Sequence, residues 1–142
     1  MFQLDPRLQA DTITLGDFPL CRLLLMDDST YPWFVLVPRR VAATEIYQLE
    51  EADQQQLWQE SAIVARWMSA AFKFDKLNLG ALGNVVSQLH LHHIGRRVGD
   101  PAWPGPVWGY RPAVSYPMEE LEKLQQAVRA EFVNLLTMVN ES

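Results

Sequence analysis

Three short apolar runs lie before Pro38, and only turn signals separate them. Asp11–Leu15 alternates through Thr12, Ile13, Thr14 and Leu15, and Gly16-Asp17 marks a turn. Leu20–Met26 is a continuous apolar stretch interrupted by Arg22. Trp33–Val37, rich in aromatic and β-branched residues, ends at Pro38. Between the second and third runs, Asp27-Asp28-Ser29-Thr30-Tyr31-Pro32 is a polar loop closed by proline. The three runs read as consecutive antiparallel strands, which commits the chain to a sheet from its start.

Two helices follow from the spacing of apolar residues. Between Glu50 and about Phe72, Leu57, Ile63, Val64, Trp67 and Ala71 recur three and four residues apart, with Asp53, Gln54, Gln55, Gln59 and Glu60 filling the other side. From Pro117 to about Val139, the stripe is Leu121, Leu124, Val128, Phe132, Leu135 and Leu136. Pro117 stands in the first turn, with Glu119 and Glu120 near the positive helix end. Lys76–Leu79 and Gln88–Gly95 read as strands on either side of the Gly80–Asn84 turn region. Asp100–Pro112, with Pro101, Pro104, Pro106 and Pro112, is neither helix nor strand core. Helices do not alternate with strands, so an α+β fold with an antiparallel sheet is expected rather than a doubly wound parallel one. The 142 residues suit one domain, 1–142, with a core at about 11–97 and a Trp/Pro-rich loop and C-terminal helix over 98–142.

Composition sets the class of partner. Hydrophobic residues are 49% and charged residues 20%, ordinary for a soluble globular domain. A net charge of −5 gives no basic footprint for duplex nucleic acid and no attraction to anionic membranes. Met1–Ala10 does not read as a signal peptide, and no run approaches the length of a membrane span, so the cytoplasm is the expected location. The single cysteine, Cys21, excludes an intrachain disulfide and reads as a buried, inert thiol.

All three histidines fall within four positions: His90, His92 and His93. In a strand, residues two apart share a face, so Gln88, His90 and His92 would form a polar row and His93 would face the core. The pattern alone leaves three readings open. It suits a polar strand face, two ligands of a metal site, or phosphate chemistry, because neutral imidazole is a good nucleophile at phosphorus.

The segment Gly83-Asn84-Val85-Val86-Ser87-Gln88-Leu89-His90-Leu91-His92-His93-Ile94 resembles the signature of the histidine triad (HIT) family, His-φ-His-φ-His-φ-φ with φ apolar. Phe34-Val35-Leu36-Val37-Pro38-Arg39 is similar to the family's strand that ends in proline and a basic residue. The resemblance covers roughly Asp11–Arg97. It implies an antiparallel five-stranded sheet with two main helices. It also implies hydrolysis or transfer at the α-phosphorus of a nucleotide, such as a dinucleoside polyphosphate, phosphoramidate or adenylylated compound, through a nucleotidyl-histidine intermediate. By the same resemblance His90 is the nucleophile and His92 a donor to phosphate. Asn78 lies near the phosphates, and Asp27 or Asp28 near the ribose. No cofactor or metal is implied, and a homodimer is.

Four positions depart from the family pattern. Gln88 stands at the first triad histidine, and it can hydrogen-bond but cannot shuttle a proton. Asn84 stands where glutamine is usual, Val85 where many members place a phosphate-binding hydroxyl, and His93 where an apolar residue is usual. Backbone N–H groups around Asn84–Val86 are expected to face phosphate. Trp103 and Trp108, held among prolines, could wall the substrate, cover the sheet or form a subunit interface. Arg96 and Arg97 read as solvated surface charge. A catalytically weak or inactive nucleotide-binding module is the alternative function, and a strand-borne metal site a third.

Overall fold

A computed structural model describes residues 1–139. Five strands form one antiparallel sheet: β1 (Thr12–Asp17), β2 (Cys21–Met26), β3 (Trp33–Pro38), β4 (Lys76–Gly80) and β5 (Leu91–Arg96). Their spatial order is β1-β2-β3-β5-β4. The fold class is therefore the expected α+β, with α2 (Glu51–Phe72) and α3 (Met118–Glu131) as its two main helices. A short helix that the sequence reading did not anticipate, α1 (Pro6–Asp11), precedes β1. Its N-terminus is capped by Asp5, which accepts from Arg7 N at 2.8 Å. No helix among the described residues is long and apolar enough to cross a membrane.

Every residue of β3 is buried, because the strand is central and both of its faces are covered. One face carries Phe34 and Leu36, with Leu23, Leu25 and Leu91 from neighbouring strands. These pack on Leu57, Val64 and Met68 of α2 and on Val128 and Phe132 at the end of α3. The opposite face carries Trp33, Val35 and Val37 with Leu24 and Ile94. No main helix lies over it. Leu8 of α1, Phe2, Leu4, Tyr31, and Ala102, Val107 and Trp108 of the proline-rich loop form the cover instead.

Three expectations need correction. α3 ends at Glu131, not near Val139. Beyond it the chain turns so that Thr137 pairs with Asp17 on the edge strand, with N–O distances of 2.7 and 2.8 Å in the two directions. Satisfying that open edge wins over the helical period of Leu135 and Leu136. β5 begins at Leu91, so Gln88, Leu89 and His90 belong to the loop that enters it. Glu60 is not on the solvent side of α2 but 1% exposed, because its carboxylate turns inward onto the start of β2.

There Glu60 accepts from Leu20 N at 2.9 Å and Cys21 N at 2.8 Å, and from Gln56 Nε2 at 2.7 Å. It thus ties α2 to the sheet through two backbone donors that have no other partner among the described residues. The Cys21 thiol is buried there, and burial beside Glu60 holds it protonated, as expected of an inert thiol. Glu60→Ala would orphan both donors and should lower unfolding stability by about 2–4 kcal/mol. Denaturant unfolding measures this, and an unchanged midpoint would show that these N–H groups are satisfied elsewhere.

Candidate functional site

His90 and His92 sit where the loop before β5 becomes strand. His92 pairs with Val35 of β3 and Gly80 of β4, so its ring lies on the face covered by the proline-rich loop. The two imidazole centroids are 4.8 Å apart in an edge-on arrangement. Trp108 closes the next side, 5.4 Å from His92. Gly80 makes this possible, since a Cβ there would lie 2.8 Å from Trp108 Cη2. His90 and His92 are buried, at 7% and 5% exposure.

Hydrogen bonds fix which ring nitrogens carry protons. His90 Nδ1 lies 2.6 Å from the carbonyl oxygen of Gln88. A carbonyl only accepts, so Nδ1 carries the hydrogen and, in the neutral ring, Nε2 carries the lone pair. His92 has the opposite tautomer. The indole N–H of Trp33 donates to His92 Nδ1 at 2.9 Å, and an indole can only donate. The hydrogen of neutral His92 is then on Nε2. Burial pushes the His92 pKa down to about 3, with neighbouring His90 and His93 adding to the shift. Neither Nε2 atom has a hydrogen-bond partner among the described residues.

His93 points the other way, as expected from its parity. It is fully buried, donates from Nδ1 to Leu91 O at 3.1 Å and accepts at Nε2 from Ser61 Oγ at 2.7 Å. Burial lowers its pKa to about 4. The histidine is a pin between β5 and α2.

Gln88 does not align its side chain with the two rings. Its Oε1 accepts from Asp5 N at 2.9 Å, and its Nε2 donates to Gln3 O at 2.8 Å. Both ends of the amide are thus spent on the N-terminal segment, while the main-chain carbonyl of the same residue orients His90. Asn78, on β4, accepts at Oδ1 from Arg96 Nη1 at 3.0 Å, leaving its N–H₂ end without a partner among the described residues. Arg96 is not a solvated charge. It is 1% exposed, forks onto Asp100 at 2.8 Å through two nitrogens, and stacks by the rings of Tyr31 and Trp103. Burying the cation is tolerable because each of its three nitrogens has an acceptor and Asp100 balances its charge. Arg97 is exposed and donates to Phe72 O.

The remaining expected residues are spread around this centre. Asp27 accepts from Tyr116 N at 2.9 Å. Asp28 accepts from Thr30 N at 3.0 Å and Val114 N at 3.3 Å. These bonds hold the segment ahead of α3 against the β2–β3 loop. Asn84 and Val85 are exposed on the loop before His90, with Val85 at 75%. Trp108 stands against the imidazoles. Trp103 stands against Arg96, so the two tryptophans do not form one wall.

A family model described as "HIT domain" matches residues 7–99. A histidine triad protein from Marinobacter aquaeolei VT8 is 50% identical, with a TM-score of 0.92 over 95% of this chain and 98% of that one. This chain belongs to the histidine triad family. Its HIT fold is matched too by a histidine triad protein from Bradyrhizobium japonicum, at 46% identity and a TM-score of 0.89 over 92% and 97% of the two chains. A HIT protein from Sinorhizobium meliloti 1021 matches at 43% and 0.87 over 96% and 98%. The comparison with curated proteins gives no match. HIT membership supports a nucleotide-binding or hydrolase type of function in general terms.

Two features of this HIT site escaped the sequence reading. By sequence Trp33 reads only as a strand residue, and nothing in the pattern connects the N-terminal segment to the site. The available signal for Trp33 was physical: a buried indole N–H requires an acceptor.

The burial of His92 and His93 has a measurable consequence. Both pKa values lie below the ordinary 6.5, so between pH 6.5 and about 4 the unfolded chain takes up protons that the folded chain refuses. The stabilisation is present above pH 6.5 and is lost as pH falls through that window, by about 1.4 kcal/mol per pH unit for each histidine. Denaturation midpoints measured from about pH 7.5 down to about pH 5 should fall accordingly, and His93→Gln should flatten the slope. A level profile in the native chain would contradict the neutral assignment.

Proposed function

We propose that the chain is a nucleotidyl hydrolase or transferase acting at the α-phosphorus of a nucleotide, with His90 as nucleophile. The observation that carries this reading is the complementary character of the two unpartnered ring nitrogens. His90 Nε2 offers a lone pair and His92 Nε2 an N–H, on rings 4.8 Å apart.

The lone pair of His90 Nε2 forms a bond to phosphorus as the bond to the leaving group breaks. Positive charge then grows on the imidazole, and the Nδ1–H to Gln88 O, at 2.6 Å, is placed to stabilise it. His92 Nε2–H donates to a non-bridging phosphoryl oxygen, a preformed dipole in a site shielded from water. The unpartnered N–H₂ end of Asn78 and the backbone N–H groups around Asn84–Val86 are further donors. Asp27 and Asp28 keep acceptor positions beyond those used by the backbone, enough for ribose hydroxyls. Water then attacks phosphorus, the N–P bond breaks, and a nucleoside monophosphate leaves. Splitting one displacement into two is the advantage of a covalent intermediate.

Release of nucleoside monophosphate from diadenosine polyphosphates and adenylylated compounds, followed by chromatography, tests the proposal. His90→Ala should reduce turnover by about 10⁴-fold or more. In the native chain, acid-labile label from the nucleotide should be trapped on His90 and located by mass spectrometry. Nucleotide binding without turnover, in the native chain, would identify a non-catalytic nucleotide-binding module instead.

A further inference from the structure

The site contains a nucleophile and a hydrogen-bond donor, but its groups offer no proton to a departing leaving group. None of the groups facing the imidazoles offers an acidic proton. His90 Nδ1–H is held on Gln88 O and must stay there while Nε2 bonds to phosphorus. His92 cannot gain a second proton at Nδ1 without displacing the indole N–H of Trp33, which donates there at 2.9 Å. The amide of Gln88 has no ionisable proton and is bound to Gln3 and Asp5. Trp108, against His92 on the loop side, has a buried indole N–H without a partner among the described residues, and an indole is no acid. His93, the remaining titratable neighbour, lies on the far face, bound to Ser61 and Leu91. Among the described residues no carboxyl, phenol or ammonium group hydrogen-bonds to either catalytic ring.

We propose that Trp33 is a positioning residue that fixes His92 as a neutral Nε2–H donor. The site is thereby restricted to nucleotides whose leaving group departs as a stable anion. Such groups are a phosphate, a pyrophosphate or a carboxylate joined to the α-phosphorus through oxygen. Amines, which must be protonated to leave, are disfavoured.

This rests on the nucleotidyl-transfer reading and narrows its substrate class. The balance of the first step is simple. The His90 Nε2 lone pair forms the N–P bond, and the P–O bond breaks with its electron pair going to the leaving oxygen. No proton is transferred, and the Nδ1–H remains on Gln88 O. In the second step water oxygen bonds to phosphorus, the N–P electron pair returns to Nε2, and the water proton passes to solvent. An amine leaving group would depart as an amide anion under the same scheme, which is far too basic to form. General acid assistance of this kind typically contributes about 10²–10⁴-fold, which sets the size of the discrimination.

Three geometric facts make Trp33 the source of the restriction. It lies on β3 opposite Ile94, two residues from the Val35–His92 pair, so its indole reaches diagonally across the sheet to His92. The residue is 8% exposed and its ring packs edge-on to Tyr31, which limits its freedom to turn away. The ring of His92 is held at 5.7 Å from that of Trp33 and at 5.4 Å from that of Trp108, so it is fixed from both sides.

The test uses the native chain and a series of adenosine 5′-phosphate aryl esters with phenols of graded acidity, beside adenosine 5′-phosphoramidate and an acyl adenylate. At neutral pH, kcat/KM should fall steeply as the leaving phenol becomes more basic, and the phosphoramidate should be at least about 10²-fold slower than the acyl adenylate. A shallow dependence, or a phosphoramidate turned over as well as the anhydride, overturns the proposal while leaving His90 chemistry standing. No turnover of any ester overturns both readings.

Two further measurements separate positioning from mere support of the fold. Long-range ¹⁵N NMR of the native chain should show His92 with Nδ1 unprotonated and Nε2 protonated, and the opposite tautomer overturns the proposal. Trp33→Phe keeps an aromatic ring but removes the N–H. It should flatten the leaving-group dependence and add an acidic limb to the pH profile, as His92 becomes able to carry a proton. An equal loss for every ester with the slope unchanged would make Trp33 a packing residue only.

Discussion

β3 occupies the middle of the sheet and is buried throughout, so both of its faces must be kept from water. On one face α2 and α3 do this in the ordinary way, with an apolar stripe on each helix. On the other face no main helix is available. The cover is assembled from the N-terminal residues, α1 and the loop from Asp100 onward, none of which has enough regular structure to hold itself in place. Each is therefore tied down by a polar contact. The Arg96–Asp100 fork fixes the loop, and the Gln88 amide clasps the backbone of Gln3 and Asp5. The candidate site is a product of this second cover, because His90 and His92 lie beneath it.

Burial under such a cover decides the chemistry. An imidazole in water at neutral pH is partly charged and can take either tautomer. Here desolvation favours the neutral form of His92, and two groups of opposite hydrogen-bonding sense select the tautomers. A carbonyl selects one for His90, and an indole N–H selects the other for His92. One selector, Trp33, lies within β3, and the other, Gln88, lies in the loop entering β5, where its amide is tied to Gln3 and Asp5. The two ring nitrogens are thus differentiated before any ligand arrives, which is the condition for electrostatic preorganisation.

Much of this frame was legible in the sequence, and the parts that were not share a cause. The three N-terminal strands, the long α2 and the parity that sends His93 inward all follow from local periodicity. The inward turn of Glu60, the end of α3 and the start of β5 do not. Glu60 sits on the polar side of its helix by spacing, yet two unpaired backbone donors at the head of β2 draw it in. Leu135 and Leu136 continue the helical stripe, yet the open edge of β1 captures Thr137. Arg96 reads as a surface cation, and only the fold shows that Asp100, Asn78, Tyr31 and Trp103 surround it. In each case a distant partner outweighs the local pattern. For the site, the pair His90 and His92 was readable from their spacing, whereas the use made of Gln88 and Trp33 depends on contacts across 83 and 59 positions of the chain.

Gln88, which by resemblance stands at the first triad position, gains a physical account from these contacts. A histidine placed there could present at most one donor and one acceptor on a rigid ring, and in its neutral form these point in different directions. The primary amide presents donor and acceptor side by side on one terminal group, a shape that matches the backbone of an extended segment. Gln88 uses that shape on Gln3 and Asp5, so the position works as a clasp for the cover. The same residue still orients His90, because it is the main-chain carbonyl, which every residue type possesses, that receives the His90 Nδ1 hydrogen. An amide at this position therefore leaves the orientation of His90 intact and supplies no ionisable proton. Under the proposed nucleotidyl transfer, that division separates formation of the N–P bond from protonation of what leaves.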